Sequence, residues 1–523
     1  MIDSSQVEYI PASPTFLISQ LSDPTFVGTV CRPFLNNNDE YFNKSESDLG
    51  KSDFFSLSLA ENVLIPSAIN NIKANNSDAM QNIPSLVKLI IDNHGYDGLS
   101  LVMDKVIPEL ITSYRKCLSS ASKSTIKLIG EVLCSISSKF RDETLIEVIT
   151  KSSCDPEPKL HILAAYLIPL VRDSSRVLSI FRSLSLDRVP QVRSELVKGL
   201  PNCNFDDSSI IKYILVNSSK DQNVTVRRSA AMIFGKVAPE LIEEFSPLLE
   251  SSDTVKAALK SVKEIVIQNG LAVISKSFQK ACMMEPELSA AVLLNISKVV
   301  QEEEKSLLLN FAFLLKYTNN LTTHLFKFSQ NFSDKEVFID LLTPNIDGKQ
   351  MLERQWRTRK NLLGQAILFI PVLHEKLVKL AELFSKDSIA IIRNMSVDLW
   401  VALINDVTVS NGSESLNNEK DSNAIYCDDK NIVSERRMSI IAKAKVVLMN
   451  DDNWHTRLVL AKIISAIGIS NGFEDVAEKL SHDNISNVRY CIANNVVNTD
   501  YFQKFFESCN DLDILQLRQQ NAV

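Results

Sequence analysis

Glycine is scarce in this sequence, 13 of 523 residues, well below the usual ~7%. That disfavours glycine-rich phosphate cradles, and no Gly-x-x-x-x-Gly-Lys-Ser/Thr, Gly-x-Ser-x-Gly or His-Glu-x-x-His sequence occurs. Histidine occurs only six times, at 94, 161, 324, 374, 455 and 482, with no two at i, i+3 or i, i+4. Zinc ligands usually converge from close spacing, so no metal site is expected, and the histidines read as surface or turn residues. The nine cysteines include no Cys-x-x-Cys pair, which suits reduced core thiols of a cytosolic or nuclear protein. Net positive charge is lacking too: the formal charge is −7, against the clustered lysine and arginine that nucleic-acid binding needs. Nor is there a long hydrophobic run. The most apolar stretch, Leu362 to Leu373, is interrupted by Gly364-Gln365 and is too short to span a bilayer. The first residues, Met-Ile-Asp-Ser-Ser-Gln-Val-Glu, show no charged-then-apolar signal pattern. The expectation is a chain with no catalytic residues, metal or cofactor, and with neither nucleic acid nor membrane as partner. Acid pairs such as Asp451-Asp452 fall at turns, where capping explains them.

What is present is one phrase written repeatedly. An Asp is followed six residues later by an Arg that opens an apolar helix face. It reads Asp187 to Arg193, Asp221 to Arg227, Asp387 to Arg393 and Asp483 to Arg489. Arg193 and Arg227 lie 34 residues apart, as do Arg359 and Arg393, while Arg457 and Arg489 lie 32 apart. A period of this size predicts stacked helix pairs rather than a closed globule. The fold class is therefore all-α, an α-solenoid of about 14 antiparallel helix pairs forming a curved horseshoe.

Val226, Ala230, Ile233 and Val237 recur at helical spacing, while Arg227, Arg228 and Lys236 fall off that face. Asp221, ahead of this helix, is placed to accept from its free N–H groups. The Arg is placed to pair with an acid of the same or an adjacent turn, making a ladder along the stack. Trp400 reads as core. Residues 1–95 read as degenerate N-terminal repeats and 96–406 as regular ones. Residues 407–433 are polar and read as a flexible inserted loop, with a helix resuming near Ser434. Residues 434–523 read as C-terminal repeats with the last one truncated.

Two turns carry tryptophan where others have small or aliphatic residues. They are Gln355-Trp356-Arg357-Thr358-Arg359 and Asn453-Trp454-His455-Thr456-Arg457. Trp and Arg are enriched where proteins grip one another. In order along the chain stand Gln355 to Leu363, Ile370-Pro-Val-Leu373, Asp387 to Arg393, Asp452 to Arg457 and Ser486-Asn-Val-Arg-Tyr490. Earlier come Phe181-Arg-Ser-Leu184 leading into Asp187 to Arg193, and Val255-Lys-Ala-Ala-Leu259. With these residues the sequence resembles the HEAT-repeat scaffold (A) subunit of protein phosphatase 2A.

The resemblance implies a horseshoe of HEAT repeats with no catalysis of its own. It would hold a serine/threonine phosphatase catalytic subunit at C-terminal turns and a regulatory subunit at N-terminal turns. Carried over, it implies that Gln355, Trp356, Arg357, Asn453, Trp454, Ile485 and Ser486 contact the catalytic subunit. Trp454 stands where the family has Tyr, and Ala390 where it has another Tyr. Asp187, Pro190 and Arg193 match a turn that contacts the regulatory subunit, with Ser194 replacing a basic residue. The alternative is another HEAT-repeat binding protein, such as an importin-type transport receptor, which predicts an acidic face that grips basic peptides.

Overall fold

The computed structural model describes residues 57–74, 80–117, 122–343, 356–406, 429–507 and 509–521. Every regular element among them is helical, and the chain divides into two compact units, Met1–Ser261 and Val262–Val523. The division falls within residues 96–406, the stretch read as regular repeats. Residues 1–56 and 407–428, and with them Gln355 of the first tryptophan turn, lie outside the described residues.

Unit 1 begins with α1 Ile65–Lys73, α2 Ile83–Leu101, α3 Ile107–Lys116, α4 Ser122–Ser135, α5 Arg141–Ser153 and α6 Pro158–Leu167. It continues with α7 Leu178–Ser185, α8 Pro190–Gly199, α9 Ser209–Ser219, α10 Val224–Val237, α11 Ile242–Glu250 and α12 Val255–Ala258. The first of these pairs is irregular. Within α2 the backbone turns at Gly95, whose φ of 57° breaks the helical run at a conformation only glycine adopts without strain.

Unit 2 opens with α13 Val262–Asn269, α14 Ser275–Met284, α15 Pro286–Ile296, α16 Lys305–Leu314, α17 Asn319–Thr323 and α18 Leu325–Ser329. Then come α19 Ile339–Leu342, α20 Trp356–Leu368, α21 Ile370–Ser385, α22 Ala390–Asp406 and α23 Asp429–Met449. It ends with α24 Trp454–Ile467, α25 Glu474–Ser481, α26 Ser486–Val496, α27 Asp500–Phe506 and α28 Leu512–Asn521. The helix expected near Ser434 thus begins at Asp429, and 429–433 of the expected loop are helical. Behind α27 stands a ten-residue second helix, α28, holding to the core by Ile514 and Leu517. Its apolar pattern is too thin to read from sequence.

In each unit the second helices of successive pairs lie side by side. In unit 1, α6 packs on α8, α8 on α10 and α10 on α12. In unit 2, α15 packs on α17, α17 on α20, and then α20, α22, α24, α26 and α28 follow in order. A second helix is therefore covered on three sides, by its own first helix and by two neighbours. This explains why α10 buries more than the stripe Val226, Ala230 and Ile233. Ala231 and Phe234 are also fully buried, and Val237, counted in the stripe, is only half-buried.

Small residues set the closeness of that layer. Ser194 of α8 and Ser229 of α10 are both buried and join their hydroxyls at 2.8 Å. Ser261 Oγ donates to the Ala231 carbonyl at 2.8 Å. In unit 2, Trp400 is completely buried, and its indole N–H donates to Ser385 Oγ at 3.0 Å. Burial of one such large side chain is worth about 2 to 3 kcal/mol. A satisfied indole N–H avoids the cost of desolvating a donor.

Candidate functional site in the inter-helix turns

Each Asp of the repeated phrase folds its own turn. Asp187 accepts from the Val189 N–H at 2.7 Å, Asp221 from Asn223 at 2.8 Å, Asp387 from Ile389 at 2.8 Å and Asp483 from Ile485 at 2.9 Å. The acceptor is thus bonded to the residue at or just before the helix start, not to the free N–H groups of the helix. Two second helices are capped by other side chains, Asn223 Oδ1 for the Thr225 N–H at 2.9 Å and Asn453 Oδ1 for that of His455 at 3.0 Å, while α8 and α26 have no side-chain cap.

The Arg then joins two repeats. Arg193 donates Nη1 to the Asp187 carbonyl of its own turn at 2.6 Å, and Nε and Nη2 to the Asp221 carboxylate of the next turn at 2.8 Å each. Arg457 repeats this with the Asp451 carbonyl at 3.1 Å and with Asp483 at 2.6 and 3.2 Å. Arg489 does so with the Asp483 carbonyl and Asp511. Arg359 grips Asp387 at 2.7 and 3.0 Å, and both side chains are almost fully enclosed, 3% and 6% exposed. Forked guanidinium–carboxylate contacts of this kind fix geometry as well as charge.

Among the described residues, Arg227 reaches the next turn only loosely, at 3.5 Å from Asp253, and rungs at three other places depart further. At the first, His161 occupies the arginine place, six residues after Asp155. Its Nε2 lies 2.7 Å from the Asp155 carbonyl and its Nδ1 2.6 Å from the Asp187 carboxylate. It is a ladder member rather than a plain turn histidine, and its spacing from Asp155 is the signal that identifies it. At the second, Glu287 replaces the pair. Its carboxylate accepts from the N–H groups of Asn319 and Asn320 at 2.7 and 3.0 Å, at the start of α17. At the third, Arg393 donates to the Asp387 and Ser388 carbonyls, and among the described residues it reaches no carboxylate. Lys386 instead approaches Asp451 at 3.7 Å.

Two predictions arise here. His161→Ala is expected to lower stability by about 2 kcal/mol, whereas His161→Arg, which makes the same two contacts elsewhere, restores it; thermal melts followed by circular dichroism check both. The second concerns pH. Burial alone raises the Asp221 carboxyl, but the Arg193 side chain and the Asn223 N–H outweigh it and hold the group below its usual value. Asp483 is held down in the same balance by Arg457 and the Ile485 N–H. Each contributes stability that is complete above the ordinary Asp value near ~4 and is lost as pH falls through the lowered folded value. The urea midpoint is therefore expected to stay level between about pH 7 and 5 and fall below about 4. Asp221→Asn with Asp483→Asn makes that acid limb shallower.

Six of the residues singled out from sequence stand at the cap or first residue of a second helix. Trp356 opens α20, Trp454 opens α24, Ser486 opens α26 and Pro190 opens α8, while Asn453 and Ile485 are the preceding caps. Both tryptophans are half-buried. The Arg357 guanidinium lies 4.9 Å from the Trp356 ring centroid, within cation–π range. Trp454 stacks on His455 with centroids 3.7 Å apart. Burial and the nearby positive Arg393 lower the His455 pKa, so at neutral pH this stack is ring on ring. Ser486 is exposed and Ile485 half-buried.

Asp187 and Arg193 use their charged atoms within the chain, in the ladder. What that turn presents to solvent is Arg188 and Leu186, the latter 83% exposed. Ser194 is interior packing, and Ala390 is exposed without a large side chain to offer. Of the described cysteines only Cys282 is fully buried, while Cys134 and Cys154 are exposed, so the expectation of core thiols holds for one of them. Burial pushes the Cys203 and Cys282 thiols up to about 12, so both stay protonated and unreactive at neutral pH. Among the described residues no helix is long and apolar enough to cross a membrane.

These turns and their layered second helices define an all-α assembly of stacked helix pairs. No protein-family profile and no curated protein matches the sequence. Among solved structures, importin beta in an ammonium sulfate condition is 11% identical over 88% of this chain and 69% of that chain, with TM-score 0.33. A mutant of Kap121p is 12% identical over 98% of this chain and 64% of that chain, with TM-score 0.39. The karyopherin Kap121p bound to the extreme C-terminus of the protein phosphatase Cdc14p is 10% identical over 99% and 79%, with TM-score 0.24. At these identities and scores the similarity extends no further than helical architecture.

Proposed function

We propose that the chain is a non-catalytic protein-binding scaffold. Its Trp356 and Trp454 turns hold a serine/threonine phosphatase catalytic subunit, and the Asp187 to Arg193 turn belongs to the surface for a regulatory subunit. One observation carries the reading. The ladder arginines, Arg359 and Arg457 of the tryptophan turns included, spend their polar groups within the chain, and these two turns add an aromatic ring, with Arg357 or His455 against it, at the start of a second helix. A large ring beside a polar partner is the usual make-up of a binding hot spot. Asn453 and Ser486 line the same helix starts, and Leu186 and Arg188 supply the side chains that Asp187 and Arg193 cannot. The mechanism is positional: two partners held on one body gain effective concentration for each other.

The second reading is an importin-type receptor, which calls for an acidic layer of second helices. The solvent-facing residues of that layer here are mainly basic, including Arg228, Lys236, Lys298, Lys327 and Lys360, against Glu131, Glu287 and Asp398. Affinity isolation of the tagged full chain from its native cell separates the two readings. Recovery of a serine/threonine phosphatase catalytic subunit is expected. Recovery of a small GTPase with basic cargo, and no phosphatase, moves the function to the importin type.

A further inference from the structure

Where the Arg–Asp ladder is missing from unit 2, the second-helix layer opens a shallow groove of about 250 Å³. It runs between α15, with the turn after it, and the pair α17–α18. Ala291, Leu294 and Phe328 form an apolar floor, and Asn295, Lys298, His324, Lys327 and Asn331 form a polar rim. Asn320 completes it, with its amide donated to the Glu287 carbonyl at 2.8 Å.

Two cations of the rim have nothing to balance them. Lys298 and Lys327 make no ion pair or hydrogen bond among the described residues, and both are exposed. Glu287, at the start of α15, has both carboxylate oxygens committed to the start of α17. The Asn295 amide is likewise without a partner among the described residues. His324 uses Nδ1 on the Asn320 carbonyl at 3.0 Å, leaving Nε2 to the groove. Other surface lysines of this unit do meet acids, as Lys376 meets Glu336 and Lys445 meets Asp475, each at 2.6 Å. Two uncompensated ammonium groups over an apolar floor, in a chain of net charge −7, are complementary to an anion that carries an apolar stem.

We propose that this groove is a docking site for an acidic segment of a partner protein, with one Asp or Glu carboxylate held between Lys298 and Lys327. The Asn295 amide completes its hydrogen bonds, and the segment's side-chain carbons rest on Ala291 and Leu294. The site is distinct from the tryptophan turns and does not depend on which partner those turns hold. Because the rim is exposed, its contribution is salt-sensitive and acts mainly on association and specificity.

The test uses the intact chain and a fluorescein-labelled peptide of alternating Asp and Leu, read by fluorescence anisotropy at low and high salt. Binding is expected at low salt, weaker at high salt. It should weaken at least tenfold in the chain carrying Lys298→Glu with Lys327→Glu, with helicity unchanged. A chain carrying Lys236→Glu, outside the groove, should bind like the parent. Peptide binding that is equal in parent and double variant overturns the proposal, as does absence of binding by the folded parent. Inorganic phosphate is the control anion: displacement of the peptide by phosphate only at far higher concentration supports a segment site. Saturation by phosphate with no peptide binding overturns it.

Discussion

Asp387→Ala is expected to cost about 3 to 5 kcal/mol, the largest stability loss of any single ladder change. The reason is asymmetric. Arg359 and Asp387 are the most enclosed of the repeated Arg–Asp pairs, and Arg359 Nη1 already has no partner among the described residues. Removing the carboxylate leaves a guanidinium buried and uncompensated, which costs far more than the pair itself contributes. The substitution also frees the Ile389 N–H, which Asp387 satisfies at 2.8 Å. Asp387→Asn separates the two effects, since its amide oxygen can keep the turn bond but carries no charge. Urea unfolding followed by circular dichroism should rank the chains parent, Asn, Ala. A loss below about 1 kcal/mol for the alanine chain, typical of a surface pair, contradicts an enclosed ladder.

Trp356→Ala with Trp454→Ala is expected to weaken phosphatase binding by about a thousandfold while each change lowers the melt less than loss of Trp400 does. Each ring is half-buried at the first residue of its helix, whereas Trp400 is wholly buried. At a partner interface each is a hot-spot residue worth about 2 kcal/mol or more when truncated, and about 4 kcal/mol together is roughly three orders of magnitude in affinity. Trp400→Ala is the control of opposite sign. That ring is wholly buried, so its loss costs about 3 to 5 kcal/mol of stability. Equal recovery of the phosphatase by parent and double-tryptophan chains removes these turns from the interface.

The helical character and the Asp-to-Arg rhythm were legible because both rest on local spacing. A 3.6-residue apolar stripe and a turn acid at a fixed offset do not depend on distant contacts. The direction of the Arg bonds was half legible: same-turn and next-turn partners stood as alternatives, and Arg193 uses both, the carbonyl of Asp187 and the carboxylate of Asp221. His161 was readable in principle, since it keeps the offset of six from Asp155 with a different donor. Ser194 shows what is not legible from one chain position. It looks like a turn residue until Ser229 of the adjacent helix is brought against it. The grouping of Asn295, Lys298, His324 and Lys327 was equally hidden, because scattered polar residues become a groove only when α15 and α17–α18 are laid side by side. The extent of α28 escaped because a helix held by two apolar contacts leaves almost no periodic signal.

The most direct measurement is a titration of the purified intact chain with a purified serine/threonine phosphatase catalytic subunit, followed by sedimentation or calorimetry. A one-to-one complex with a Kd below about 1 µM is predicted, equivalent to a little over 8 kcal/mol of binding free energy. A folded chain that forms no complex at about 100 µM phosphatase contradicts the scaffold assignment.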